Sequence, residues 1–88
     1  MVLQGLKNVN GDLNCAGNRE LNENSFPDLE FIGGDFVLSN ANFTKIPPNL
    51  KEVKGRGILS KSDPILLLES LRKAEAEGII KGGIFFND

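Results

Sequence analysis

The chain has 88 residues, a mass of 9.6 kDa and a formal net charge of −2, which bounds it to a single small domain, 1–88. Its composition, 40% apolar and 25% charged, is typical of a globular protein and excludes wholesale disorder. There is no His, Trp or Tyr and only one Cys, so the usual general base is missing and no disulfide can form within the chain.

Three copies of one pattern occupy residues 6–61. The copies begin at Leu6, Leu29 and Leu50, which places them 23 and then 21 residues apart. The apolar columns are Leu6/Leu29/Leu50, Val9/Ile32/Val53, Leu13/Phe36/Gly57 and Cys15/Leu38/Leu59, and a constant glycine column is Gly11/Gly34/Gly55. The apolar residues that follow each glycine alternate with other residues, which is the period of a short strand. No copy can bury its own apolar side, so the pattern predicts copies stacked in register with a parallel ladder of strands.

These residues resemble leucine-rich repeats, especially the short degenerate repeats of bacterial and phage proteins. Those repeats carry a Gly-Gly-Asp-Leu-x-Leu strand, then an apolar residue and a Leu-Pro. The likeness is closest in the second copy, Gly33-Gly34-Asp35-Phe36-Val37-Leu38 followed by Phe43 and Ile46-Pro47. It departs in the first copy, which is longer between Leu21 and Phe26, and in the third, where Gly57 replaces a large residue. An ordinary antiparallel sheet is the alternative.

A helix is predicted in the segment 63–78. Asp63 suits the N-cap, Pro64 the first helical position and Gly78 the position after the last turn, so the helix runs from about Pro64 to Glu77. The side of this helix expected to face the core holds Ile65, Leu67, Leu68, Leu71 and Ala74. We expect it to cap the open end of the stack; binding in a groove on a partner is the alternative.

The last segment, 79–86, is predicted to form either one interrupted strand or a hairpin about Lys81-Gly82-Gly83. An exposed strand there would offer an unpaired edge and a route to a homodimer. The predicted fold class is therefore α+β: a short, three-copy, leucine-rich-repeat-like parallel β-solenoid capped by a C-terminal helix and a final strand.

Catalytic chemistry has little support. Cys15 lies in an apolar column, as a small core residue does. No phosphate-binding or other cofactor motif is present. Asp12 and Asp35 occupy equivalent positions on neighbouring copies, where two carboxylates could act as an acid/base pair or hold a hard cation. Because Arg56 completes that column, a surface charge ladder is favoured, and we expect neither an enzyme nor a metal site.

The residues that depart from the repeat predict a partner-binding surface. The column Asn14/Val37/Ile58 should point away from the core, yet two of its members are apolar, and Phe31 interrupts an otherwise polar column. An apolar centre with charged neighbours is typical of protein interfaces. The expected surface comprises Asp12, Asn14, Phe31, Asp35, Val37, Arg56 and Ile58. The alternative is that the tail or flanking loops cover these side chains.

The predicted function is a non-enzymatic protein-binding module. The likeness to phage repeats favours an inhibitor or adaptor from a phage or mobile element that occludes a host or defence protein. One alternative is a protein that mimics or contacts nucleic acid, through the acidic first half or the basic strip 45–61, although the net charge argues against a general nucleic-acid binder. Another is a self-assembling structural piece, joined through the open ends of the stack or through residues 79–86. Without a leader, a membrane-length apolar run or a second Cys, the expected compartment is the cytoplasm.

Overall fold

The computed structural model describes residues 1–87, which form a mixed α/β arrangement of parallel strands in two sheets with one α-helix. The strands are β1 (Asn8–Val9), β2 (Leu13–Asn14), β3 (Phe31–Ile32), β4 (Phe36–Val37), β5 (Glu52–Val53), β6 (Gly57–Leu59) and β7 (Ile84–Phe86); the helix is α1 (Ile65–Ala76). One sheet has the order β1-β3-β5 and the other the order β2-β4-β6-β7. The arrangement agrees with the predicted α+β class.

Each copy of the sequence pattern contributes one strand to each sheet. Leu13 pairs with Phe36 and Phe36 with Gly57, so the predicted common row of these three residues is confirmed. The named strand pairs are all parallel, which excludes the antiparallel alternative for this part of the chain. The strands β1, β3 and β5, which precede the glycines, were not predicted, because each contributes one residue to the apolar columns (Val9, Ile32 or Val53) and one residue shows no alternation.

The core lies between the two sheets and the segments that return the chain to the next copy. Ile32, Phe36 and Leu38 of the second copy are completely buried. The ring of Phe43 stacks on Phe26 with centroids 6.3 Å apart and meets Phe36 edge-on at 5.9 Å. These return-segment rings therefore close the core opposite the strands, where aromatic side chains bury a large apolar area.

A column of glycines sets the spacing between successive copies at the corner between the two sheets. A Cβ on Gly55 would lie 2.6 Å from the carbonyl carbon and oxygen of Gly34, and one on Gly82 would lie 2.5 Å from the carbonyl carbon of Gly55. A Cβ on Gly34 would meet Asp12 Oδ1. Only a residue without a side chain allows the backbones to approach this closely.

The final strand extends the stack by a fourth layer. Instead of the hairpin allowed by the sequence, β7 pairs in parallel with β6, and Ile80 forms a parallel bridge with Val53. Gly82 thereby takes the glycine position of the pattern, and its N–H donates to the Gly55 carbonyl at 2.8 Å. The prediction that the pattern ends at the third copy was therefore wrong. The fourth layer was missed because the helix lengthens the spacing between Val53 and Ile80 to 27 residues, which hides the repeat.

The helix differs from its prediction at its first turn. It begins at Ile65, and Asp63 does not cap it: the carboxylate accepts the N–H of Ser60 at 2.8 Å and that of Asn40 at 3.1 Å instead. Ile65 was expected on the apolar side, but it is 65% exposed. The helix ends as predicted, with Gly78 at φ +81°, which is the left-handed conformation that glycine adopts at helix ends.

The buried side of the helix explains why the third copy carries a glycine in its strand. A Cβ on Gly57 would lie 3.3 Å from Leu71 Cδ2 and 3.2 Å from Ile80 Cδ1. Leu67 and Ala74, on the same side of the helix, are also buried. Helix side chains thus occupy the space that Phe36 fills in the preceding layer. Leu71 of the helix packs at Gly57 of the third layer, and β7, which follows the helix, forms the fourth layer. The helix therefore lies beside these two layers, and β7 instead of the helix forms the end of the sheet.

The longer first copy has a local explanation. Its extra residues form a 3₁₀ turn, Glu23–Ser25. Asn22 Oδ1 accepts the N–H of Asn24 at 2.8 Å, and Ser25 Oγ accepts the N–H of Asn22 at 3.0 Å. These two bonds satisfy backbone groups at the start of the turn, so the insertion leaves the strand register intact.

We predict that Gly55→Ala lowers the free energy of unfolding by about 1–3 kcal/mol, because the added methyl group must displace the backbone of the preceding copy. The matched control is Gly11→Ala, whose Cβ would have no atom within 4 Å. Urea unfolding followed by circular dichroism measures both. Equal stability of the two variants would show that the close glycine contact does not hold the layers.

Candidate functional site

The outer face of the four-stranded sheet carries a row of four side chains, one from each strand. The parallel register places Asn14 beside Val37, Val37 beside Ile58, and Ile58 beside Phe85. Neighbouring strands in a sheet lie about 4.8 Å apart, so the row is about 14 Å long. Its polarity changes along the stack, from an amide at the first layer to an aromatic ring at the fourth.

Exposure differs within this row. Only 9% of the surface of Ile58 is exposed, although Ile58 does not belong to the core cluster. For this residue the alternative of cover by the tail applies, since Phe85 of the last strand pairs beside it. Its neighbours in the row, Val37 and Phe85, flank it on either side. Val37 is half-buried, and Phe85 is 47% exposed. The accessible apolar surface of the row is therefore provided mainly by Phe85 and Val37.

A ladder of carboxylates runs along the corner beside this row. Asp12 Oδ1 accepts the backbone N–H of Asp35 at 2.7 Å, and Asp35 Oδ1 accepts the backbone N–H of Arg56 at 2.7 Å. The Arg56 guanidinium also donates to Asp35 Oδ2 at 2.8 Å. The predicted charge ladder is confirmed in this geometry. Each carboxylate thus joins one layer to the next, until Arg56 ends the series.

The ion pair between Asp35 and Arg56 changes the pKa of both groups. The hydrogen bond from the guanidinium, together with the bond from the Arg56 backbone, lowers the pKa of Asp35 below its ordinary value. The same side-chain bond raises the pKa of Arg56, with a smaller contribution from Asp12. Asp35 is therefore ionised at neutral pH and can hold Arg56 in place.

Two cations rest on aromatic rings at this surface. The guanidinium carbon of Arg56 lies 5.2 Å from the ring centroid of Phe85, and Lys54 Nζ lies 5.6 Å from that of Phe31. Both distances are within the range of cation–π attraction. Arg56 is thus held from one side by Asp35 and from the other by Phe85, which fixes a positive charge next to an exposed ring.

The predicted residues fall on two faces of the molecule. Phe31 lies on the outer side of the three-stranded sheet, in the row with Asn8 and Glu52, whereas Val37 lies on the outer side of the four-stranded sheet. The corner at 33–35 separates the two faces. The structure therefore brings together Asn14, Val37, Ile58, Asp35 and Arg56, and it places Phe31 around the corner with Lys54.

Sequence reasoning missed two residues that lie next to the predicted ones: Phe85, beside Ile58 and Arg56, and Lys54, beside Phe31. Phe85 was missed because the tail was not recognised as a copy of the pattern, although its Ile80, Gly82 and Ile84 match the apolar, glycine and apolar columns. Lys54 was treated only as part of a basic strip. Its position two residues before Arg56 would have placed it at the same corner.

The remaining chemistry of the described residues is sparse. Burial raises the pKa of the Cys15 thiol to about 11, so little thiolate forms at neutral pH. Residues 1–87 contain no group of three or more Cys, Asp or Glu side chains placed to hold a metal ion. In the same part of the chain, the helix is too short and too polar to cross a bilayer.

Comparisons of the chain with protein-family models, with curated proteins and with solved structures found no match.

We predict that the Asp35 carboxylate contributes stability that is present above its unfolded pKa, about 3.9, and is lost as the pH falls through its lower folded pKa. Asp35→Asn should therefore be less stable than the wild type at pH 7, and the difference should shrink as the pH falls through the folded pKa of Asp35. Urea unfolding at a series of pH values measures the difference.

The control for this pH experiment is Arg56→Met, which keeps the backbone N–H bond to Asp35 but removes the guanidinium. In Arg56→Met the acid-induced loss of stability should be smaller than in the wild type and should end at a higher pH, because the folded pKa of Asp35 is less depressed and lies closer to its unfolded value. A constant difference between the wild type and Asp35→Asn down to pH 2 would contradict the assignment.

Proposed function

We propose that this protein is a non-enzymatic protein-binding module that contacts its partner through the outer face of the four-stranded sheet. The observation that carries the proposal is the position of Arg56, held between Asp35 and the half-exposed ring of Phe85. An aromatic and an arginine that are fixed side by side resemble the residues that dominate binding energy in protein interfaces.

The apolar part of the surface supports this role. Phe85 and Val37 present accessible apolar area on either side of the buried Ile58. Because Ile58 is already covered, the two flanking side chains are backed by packed atoms and lose little freedom when a partner covers them. Asn14, at the far end of the row, provides an exposed amide for the polar rim.

The charges around the ring indicate the kind of partner. Lys54 and Lys81 are exposed and follow the bridged residues Val53 and Ile80, so they occupy equivalent positions on adjacent layers. Arg56 lies on the Phe85 ring, and Lys54 lies around the corner over Phe31. We propose a partner surface in which an apolar side chain is bordered by carboxylates, since this arrangement complements both the ring and the cations.

We further propose that the fold is a short leucine-rich-repeat-like solenoid. Support comes from the register, which returns after 23, 21 and 27 residues between Val9, Ile32, Val53 and Ile80. The glycine column at each corner also favours identical packing of successive layers. On this reading the protein fits the inhibitor or adaptor role that the phage-like repeats imply, with a host or defence protein as the occluded partner.

A second candidate function is contact with single-stranded nucleic acid. The specific observation in its favour is the exposed ring of Phe85 beside Arg56, because bases stack on aromatic rings while cations contact phosphates. The net charge of −2 argues against it.

We predict that Val37→Asp weakens partner binding about tenfold or more, because it places a charge in the apolar part of the interface. A photoreactive side chain introduced at Val37 captures the partner from the native host, and the purified partner is then titrated against each variant by calorimetry. Phe85→Ala should have a comparable effect. The matched control is Asn42→Asp, which adds the same charge at an exposed position on a return segment.

Titrations of single-stranded DNA and RNA oligonucleotides at two salt concentrations test the second candidate. Binding that weakens steeply with salt would favour nucleic acid. The proposed protein interface is rejected if Val37→Asp and Phe85→Ala, both shown to be folded, bind the captured partner as tightly as Asn42→Asp does.

A further inference from the structure

We infer that the two ends of the sheet stack bind each other in separate copies of the chain, so that β7 of one molecule pairs in parallel with β2 of the next. This contact uses the edges of the sheets and is independent of the outer face proposed above. Its occupant is a second copy of this chain, joined head to tail.

One line of evidence is a series of backbone hydrogen bonds that runs in a single direction through the layers. The N–H of Gly34 donates to Gly11 at 3.0 Å, that of Gly55 to Gly34 at 2.9 Å, and that of Gly82 to Gly55 at 2.8 Å. The series begins with the Gly11 N–H at one end of the stack and ends with the Gly82 carbonyl at the other. A second copy stacked in the same register brings these two groups together.

A second series runs the opposite way. Its bonds are Leu13 N–H to the Asp35 carbonyl at 2.9 Å, Phe36 N–H to the Arg56 carbonyl at 2.8 Å, and Gly57 N–H to the Gly83 carbonyl at 2.9 Å. The next members are the N–H of Ile84, on the edge strand β7, and the carbonyl of Asp12, next to the edge strand β2. Edge strands of this kind offer their outward groups to another chain, and these two edges are complementary.

The ends also leave core side chains partly uncovered. In the second copy Leu29, Ile32 and Phe36 are completely buried, whereas their equivalents in the first copy are only half-buried. At the opposite end Phe86 is 42% exposed, and it lines a cleft of about 250 Å³ together with Ile65. Bringing the two ends together removes both apolar surfaces from water.

The glycine at the start of the first copy fits this contact. Gly34, Gly55 and Gly82 each lie against the backbone of the preceding layer, but a Cβ on Gly11 would have no atom of its own molecule within 4 Å. Gly11 does not have a positive φ either. No contact among residues 1–87 therefore requires glycine there, whereas the Gly82 backbone of a second copy would.

The register of the stack determines which side chains would meet across this contact. Continued in register, it places Ile84 against the half-buried Leu13 and Phe86 next to Cys15.

The test is the mass of the full chain measured by sedimentation equilibrium from about 10 µM to about 1 mM. Because a head-to-tail contact does not close on itself, the wild type should pass beyond the dimer as the concentration rises. Gly11→Ala should leave folding unchanged and weaken association about tenfold or more, since its methyl group meets the neighbouring backbone.

A mixing experiment distinguishes the two ends. Phe86→Glu blocks the β7 end, so this variant and Gly11→Ala should each be largely monomeric alone. Mixed in equal amounts they should form a dimer that grows no further, because each retains one intact end. Ile65→Glu replaces Phe86→Glu if the latter fails to fold, since Ile65 is 65% exposed and lines the same cleft.

Three results would overturn the inference. A wild type that stays monomeric throughout the concentration range would show that the ends do not associate. A wild type that stops at the dimer, and that Phe86→Glu disrupts while Gly11→Ala does not, would indicate a symmetric pairing of two β7 strands instead. Association of Gly11→Ala equal to that of the wild type would remove the proposed contact at the first layer.

Discussion

The close stacking of backbone on backbone at the glycine corner is the constraint on which the other features depend. A Cβ on Gly55 or Gly82 would lie only 2.5–2.6 Å from the preceding layer. That spacing lets Asp12 and Asp35 reach the N–H groups of the next layer, and it keeps the two sheets in one register. Each layer buries its apolar side only because its neighbour lies this near, so the core is a product of the stacking.

The same constraint explains how the outer surface is built. A carboxylate that bonds to the next layer's backbone is held in one orientation, and Asp35 in turn holds the Arg56 guanidinium. Arg56 occupies the position in the third layer that Asp12 and Asp35 occupy in the first two. Its guanidinium cannot accept a backbone N–H as the two carboxylates do, and it lies on the Phe85 ring. The change from Asp to Arg therefore marks the place where the ladder gives way to a surface suited to recognition.

Much of the fold followed from the sequence, and the failures have physical reasons. The common row of Leu13, Phe36 and Gly57 was predicted correctly, because the same alternation of every second residue follows the glycine in each copy. The fourth layer was missed because a helix of 12 residues separates it from the third and breaks the spacing. In the candidate surface, Val37 and Arg56 lie beside the four-stranded sheet as expected, but Phe85 next to Ile58 was missed because the helix hides the match of its segment to the repeat columns.

The space at Gly57 links two parts of the chain that the repeat itself does not connect. Leu71 from the helix and Ile80 from the last layer fill the volume that a side chain would take in that row. Residues that share one cavity are energetically coupled, so their substitutions are not additive. An enlargement at position 57 therefore forces the side chains at 71 and 80 to give way, and its cost depends on which residues occupy those two positions.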